Sequence, residues 1–361
     1  MINNKKLGID ARMIEMSGIG TYIQHMMGQG IYDYALGSEE LIRKYDKDVK
    51  VIPFDAPIYS PKEQLFFSNK AVKVAGIDLM HFPHYNVPIS YRGRYVVTVH
   101  DLIHLIFPEY LGSKVKYWYA KFLMTQAVRR ADHVFTVSEN SKKDIRKYFG
   151  TDPEKITVTY NGVDEDFRVK DKAEIDYLYE KYNIPRDKKL ILFVGNLKPH
   201  KNLGTLLEAV KLLDRDDVML LLVGKAFKNL DLEQQEEELG IRGQVIHTGL
   251  VSKEELVDLY NLADVFVFPS LYEGFGIPPL EAMACGTPVI AANNSSIPEV
   301  VGDAAILDKA TDADEICNSI NKLLNDNRLY EMMKKKGLER SCFFSWKKTN
   351  VYTKHEIQTF A

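Results

Sequence analysis

The stretch VFVFPSLYEGFGIPPLEAMACGTPVI (265–290) decides the fold. It opens with a β-type apolar run, passes through Gly274 and Gly276, meets Pro278 and Pro279, and continues as LEAMA before a second apolar run. Proline suits the first turn of a helix, where its missing N–H costs nothing, so the order is strand, loop, helix, strand. That is the repeating unit of a parallel sheet covered by helices.

The same pattern extends in both directions. Apolar runs recur at 6–10, 51–54, 79–82, 95–99, 134–138 and 156–160, and again at 190–194, 218–223, 245–248, 265–269, 288–291 and 305–307. Most are followed by a stretch of helical period. The spacing predicts an α/β chain of two consecutive doubly wound domains, which suits 361 residues at about 150 per domain. No strand-like run crosses 161–189, a polar and charged segment with Gly162 and Pro185, so the boundary is expected between 165 and 185. We take it at 170, giving an N-terminal domain of residues 1–170 and a C-terminal domain of residues 171–343, followed by a helix-like tail at 344–361. Leu203, Leu206, Leu207, Val210 and Leu213 fall on one helical face, which puts Lys201 and Asn202 at that helix's N-terminal mouth.

Composition narrows the function classes. The chain is 45% apolar and 27% charged, as expected for a chain that folds throughout. A net charge of −3 gives no global field for nucleic acid, so no nucleic-acid partner is expected. Cys285, Cys317 and Cys342 are odd in number and widely spaced, which fits neither a disulfide framework nor a zinc ligand set; buried thiols in a reducing compartment are expected. Without a signal-like start or an apolar run of about 18 residues, a cytoplasmic protein is expected.

Two loops carry the candidate chemistry. Glycines before a helix start let backbone amides face an anion. Glu273 and Glu281, on either side of that turn, would repel a phosphate and instead suit hydroxyls of sugar rings flanking it. The competing reading is a strand–loop–helix corner with two solvated acids. The loop VGNLKPHKN (194–202) also leaves a strand for a helix and supplies Lys201, with Lys198 and His200 beside it, where the helix dipole favours an anion. Both loops leave the carboxyl ends of parallel strands, where open α/β sheets bind ligands, so they are expected to line one crevice.

Together with SGIG (17–20) and the strand-end pair His100–Asp101, the blocks EGFGIPPLE and GNLKPHKN resemble the retaining glycosyltransferases of family 4. HFPHYNVP and HDLIHLIFPEYL look most like bacterial mannosyltransferases of surface-polysaccharide assembly. The resemblance implies the GT-B fold, two Rossmann-like domains facing across a cleft, with the C-terminal helix crossing back to the first. It implies a nucleotide-sugar donor and a glycan or lipid-linked saccharide acceptor. By position, Glu281 would hold the ribose and Glu273 a donor-sugar hydroxyl. Lys201, Asn196 and the amides around Phe275, Gly276 and Ile277 would hold the diphosphate, Gly18 and Gly20 would let the first domain's loop approach it, and His100 would lie beside the transferred sugar. Catalysis would then rest on His100, Lys201 and Glu273. The departure is an arginine that many relatives carry in the second loop, where this chain has Asn196 and His200. Lys198, Lys225 or a protonated His200 are the candidate replacements.

The implied reaction moves a hexose with retention of configuration. GDP-mannose is the favoured donor and a UDP-sugar the other; no cofactor and no metal is expected, because cations and amides can stabilise the leaving diphosphate. His81, His84, His100 and His104 could ligate a metal, against the plainer reading of strand-end histidines in a polar cleft. His84, Tyr85 and Asn86 are candidate acceptor contacts. Segment 112–130, basic and aromatic without an acid, either lies on an anionic membrane or packs its aromatics on the sheet. Competing functions are a catalytically silent nucleotide-sugar-binding subunit, or a sugar phosphorylase or nucleotide-sugar epimerase on the same fold. A dinucleotide oxidoreductase is disfavoured, because SGIGTY lacks the full glycine spacing.

Overall fold

The computed structural model describes residues 5–54, 56–67, 69–196, 198–225 and 232–360. Leu197 of the second loop and the final Ala361 lie outside them. The chain divides into two compact units, Met1–Asn161 with Trp346–Ala361, and Gly162–Ser345.

The first unit contains seven parallel strands: β1 (Leu7–Asp10), β2 (Tyr34–Gly37), β3 (Lys50–Pro53), β4 (Leu79–Phe82), β5 (Tyr95–Val99), β6 (His133–Thr136) and β7 (Ile156–Val158). Their order is β3-β2-β1-β4-β5-β6-β7. The second unit's sheet contains β8 (Lys189–Val194), β9 (Val218–Val223), β10 (Val245–Gly249), β11 (Val265–Phe268), β12 (Val289–Ala292) and β13 (Ala305–Asp308), in the order β10-β9-β8-β11-β12-β13. Each order reverses once, between β1 and β4 and between β8 and β11. Ligands of doubly wound sheets bind at the carboxyl ends of the strands at such a reversal.

One strand escapes the sequence pattern. β2 reads YALG, with no β-branched residue and a terminal glycine, yet it pairs β1 on one side and β3 on the other. Neighbours on both edges enforce a conformation that its own propensity does not. The helix expected after Asn202 spans Leu203–Leu213, and all five residues of its predicted face are buried.

The division falls at Asn161 rather than 170, because residues 163–170 are tied into the second unit. The Val163 N–H donates to the Phe344 carbonyl at 3.0 Å, Phe167 packs edge-on against Tyr260, and the Lys170 N–H donates to Asn261. The returning helix is Trp346–Phe360 and belongs to the first unit. There Trp346 stacks on His25 with ring centres 4.4 Å apart, and Asn350 donates to the His25 carbonyl. Phe344 stays in the second unit, edge-on to Phe275. Cys285 and Cys317 are buried as expected; Cys342 is exposed, because it follows the last helical turn of Asn327–Ser341 rather than facing its core side.

Candidate active site

In the second unit the sheet reversal brings the two loops together. β8 and β11 are paired neighbours, with Val265 opposite Ile191, so the segments leaving their carboxyl ends start side by side. The Leu271 N–H donates to the His200 carbonyl at 2.7 Å, and Asn202, in the left-handed region, donates to the Pro269 and Ala310 carbonyls. At this junction the Lys201 ammonium lies 2.6 Å from Glu273 Oε1 and 5.0 Å from the centre of the Phe268 ring. Both side chains retain some exposure, 14% and 15%.

The Glu273 loop is held from below. The Glu273 N–H donates to Ser295 Oγ at 3.1 Å, and the Ser296 hydroxyl lies 2.7 Å from the Phe275 carbonyl and 2.9 Å from that of Glu273. Gly276 then precedes the helix Ile277–Ala284 with φ of 109°, and a Cβ there would lie 2.6 Å from Ile297 Cδ1. Only glycine meets both demands. The helix has prolines in its first turn, with no side-chain cap hydrogen bond and no acid there, so its first turn supplies no countercharge to the positive end of its dipole. Phe275 is buried against Phe344, and Ile277 is half-buried at the helix start.

Glu281 sits about one turn into this helix and is half-buried. Tyr260 donates to its Oε2 at 2.9 Å. Burial dominates its electrostatics, pushing the carboxyl up to about 7 despite that hydrogen bond, with Asp164 adding to the rise. Sequence reasoning missed Tyr260, Ser295 and Ser296, which position the two acids. No motif marks them, because they come from other strand–helix units and meet the loop only in three dimensions.

The arginine question narrows. His200 is buried and so is no exposed cation, whereas Lys198 and Lys225 are exposed. Asn196 is half-buried, with its carbonyl accepting from the Lys198 N–H. Lys225 follows Gly224, where a Cβ would lie 1.9 Å from the Gly195 carbonyl oxygen. That approach anchors the root of Lys225 against the Gly195–Asn196 turn.

In the first unit, Gly18 and Gly20 stand in the first turn of the helix Ser17–Met27, not in a loop; Gly18 is exposed and Gly20 buried. The helix begins there because residues 11–16 already close turns, Ile14 N–H to the Ala11 carbonyl and Met16 N–H to that of Met13. Tyr22 of this helix meets the His100 ring edge-on at 5.0 Å. His100 Nε2 lies 2.9 Å from the Pro83 carbonyl, which can only accept, so Nε2 carries the proton. Burial lowers the His100 pKa, which leaves Nδ1 of the neutral ring as an acceptor.

Of the four histidines considered for a metal, His81 has both ring nitrogens engaged. His81 is held between Tyr32 (2.6 Å) and Thr98 (2.7 Å), and burial lowers it to about 3, a neutral core residue. Among the described residues no three His, Cys, Asp or Glu side chains gather as a metal site. Asn86 is no acceptor contact either: its amide donates to both Glu63 oxygens, at 2.7 and 2.8 Å, and accepts from Gln64. That network continues through Arg12 to Asp10 and was not foreseen. Burial opposes the Arg12 charge, but Asp10 and Glu63 outweigh it and hold the guanidinium charged. Tyr85 is buried beneath Tyr59, and His84, its pKa lowered by burial, is half-buried against the Tyr85 ring.

Comparison with known proteins agrees with this architecture. Residues 175–340 match the family described as "Glycosyl transferases group 1", and residues 34–167 match "Glycosyltransferase Family 4". The chain is 34% identical to the O-antigen chain mannosyltransferase B of Escherichia coli over 76% of its own length and 72% of that protein. It is also 34% identical to the serotype-specific mannosyltransferase WbdA of Escherichia coli over 73% of its length, spanning 33% of that longer protein. Among solved structures, HepE of Anabaena in complex with UDP and glucose superposes with a TM-score of 0.81 at 21% identity, covering 98% of this chain and all of that one.

Proposed function

The chain belongs to the glycosyltransferases of group 1 and family 4, and from that premise we propose that it is a retaining mannosyltransferase. It takes mannose from GDP-mannose and passes it to a hydroxyl of a glycan or lipid-linked saccharide, without a metal. The observation that carries this reading is the Lys201–Glu273 pair, 2.6 Å apart where β8 and β11 adjoin.

The chemical demand is to stabilise negative charge growing on the nucleotide diphosphate as its bond to the anomeric carbon breaks. Lys201, the amides at Gly276 and Ile277, and the open helix dipole supply positive potential at one place. Lys225, which follows the close approach of Gly224 to Gly195, is the second cation of this reading. Once Lys201 turns to the diphosphate, Glu273 is released to accept from a hydroxyl of the mannose. Glu281, in its ionised form, accepts from the ribose; in the first unit, the neutral His100 offers Nδ1 as an acceptor. The acceptor oxygen attacks on the face the phosphate leaves. A new bond to the anomeric carbon forms, the bond to the phosphate oxygen breaks, and that oxygen takes the acceptor's proton. No protein nucleophile is required.

The mannosyltransferase relatives favour the GDP-mannose donor. Thermal-shift titration with GDP-mannose, UDP-glucose and their diphosphates tests it, since a ligand bound only by the native state raises the melting temperature. A selective response to GDP-mannose, with activity that survives a chelator and is lost in Glu273→Ala, is expected. Equal stabilisation by all donors, or normal turnover in Glu273→Ala, refutes the assignment. A silent binding subunit would respond to donor without releasing GDP.

A further inference from the structure

The helix Lys114–Arg130 of the first unit buries Ala120, Leu123, Met124, Ala127 and Val128. Its opposite side is also apolar. Val115, Trp118, Tyr119 and Phe122, at steps of three, four and seven, are 79%, 61%, 37% and 46% exposed. The aromatics therefore do not all turn to the sheet, as the packed-helix reading required. Large apolar side chains aligned on one exposed stripe mark a surface made for contact.

Charge decides the partner. Lys114, Lys116, Lys121, Arg129 and Arg130 are on this helix with no acid, and Lys121 stands over the Trp118 ring at 5.1 Å. The helix Glu139–Phe149, packed beside it, adds Lys142, Lys143, Arg146 and Lys147 against Glu139 and Asp144. These two helices hold nine cations and two acids, a net +7, in a chain whose total is −3, so the remaining residues carry −10. An apolar, aromatic stripe flanked by lysines matches the anionic headgroup layer of a membrane, where rings enter the interface and ammonium groups meet lipid phosphate. Among the described residues no helix is long and apolar enough to cross a membrane, so such contact would be peripheral.

We propose that Val115, Trp118, Tyr119 and Phe122, with Lys114, Lys116 and Lys121, dock this protein on an anionic lipid surface. The helix Lys114–Arg130 packs against Ile103–Ile106, the short helix that follows the carboxyl end of β5, so it stands at the carboxyl edge of the first sheet. If the acceptor is lipid-linked, which rests on the proposed function, its saccharide would be presented next to that edge.

The test uses the full chain with vesicles of phosphatidylcholine alone or mixed with phosphatidylglycerol, and no nucleotide, so it stands or falls apart from the donor assignment. The chain has two tryptophans, and Trp346 is buried, so a blue shift of emission on adding vesicles reports Trp118. Sedimentation with the anionic vesicles only, a blue shift, and weakening by salt are expected. Lys114→Gln with Lys116→Gln should lower the partition coefficient about 25-fold, at about fivefold per lysine. Trp118→Ser with Phe122→Ser should abolish binding while circular dichroism stays unchanged. Wild-type protein left in the supernatant, unshifted emission, or both variants sedimenting like the wild type would overturn the proposal. So would a stripe covered by a second copy, seen as a dimer that only Trp118→Ser with Phe122→Ser dissociates.

Discussion

The two sheets reverse their strand order in the same way, yet the charges at the two reversals differ in kind. At the β1–β4 reversal, Arg12 and Glu63 are sealed, with side chains 4% and 0% exposed, and Asp10, Asn86 and Gln64 complete the partners. At the β8–β11 reversal, Lys201 and Glu273 have one another and a path to solvent. A sealed pair has already lost its water and holds its neighbours in place; a pair that keeps a path to solvent can open toward a ligand. The same topology thus carries a sealed charge network in one unit and a partly exposed pair in the other.

That contrast can be broken by exchange of effects. Removing the shared partner, as in Arg12→Leu, leaves two buried carboxylates, Asp10 and Glu63, without a countercharge, and a loss of about 3–5 kcal/mol in chemical denaturation is expected. Lys201→Ala, whose pair keeps a path to solvent, should cost less stability than Arg12→Leu, yet lower turnover by about 10²–10³-fold, as for the loss of a preorganised group at developing charge. If Arg12→Leu is as stable as wild type, or Lys201→Ala unfolds while its residual fraction turns over normally, the distinction fails.

A subtler effect concerns pH. The Glu281 carboxyl is raised from 4.5 to about 7 in the folded chain, so the native state holds its proton more tightly than the unfolded state. The stability this contributes is complete below pH 4.5 and is lost as pH rises to about 7. Glu281→Gln should therefore gain on wild type across that window and no further above it, as read by melting temperature against pH. In wild type, GDP-mannose affinity should rise as the native Glu281 ionises around pH 7, and in Glu281→Gln it should stay flat. The smallest change is expected for Lys225→Ala. An exposed cation contributes about 1 kcal/mol or less, so donor affinity should fall about fivefold and the loss should shrink in high salt. No change at low salt would remove Lys225 as the substitute for the missing arginine.

Much of the fold was legible because hydrophobic periodicity is a local property. Each run bounded by glycine, proline or a polar cluster declares a strand, and Leu203 to Leu213 declares a helix face. β2 was hidden because YALG becomes a strand only by pairing on both edges. In the site, the spacing of Glu273 and Glu281 and the placement of Gly276 and Lys201 could be read from the chain. The neutral state of His81, the engagement of Asn86, the hydroxyl of Tyr260 and the outward turn of Trp118 could not.

The sequence by itself determined the two parallel sheets, the loops that end in helix openings, and the residue types those loops offer. Tertiary structure alone decided which charges are sealed and which are open. A side chain's neighbours at the end of a sheet come from strands and helices far away in the chain, and its desolvation depends on all of them at once.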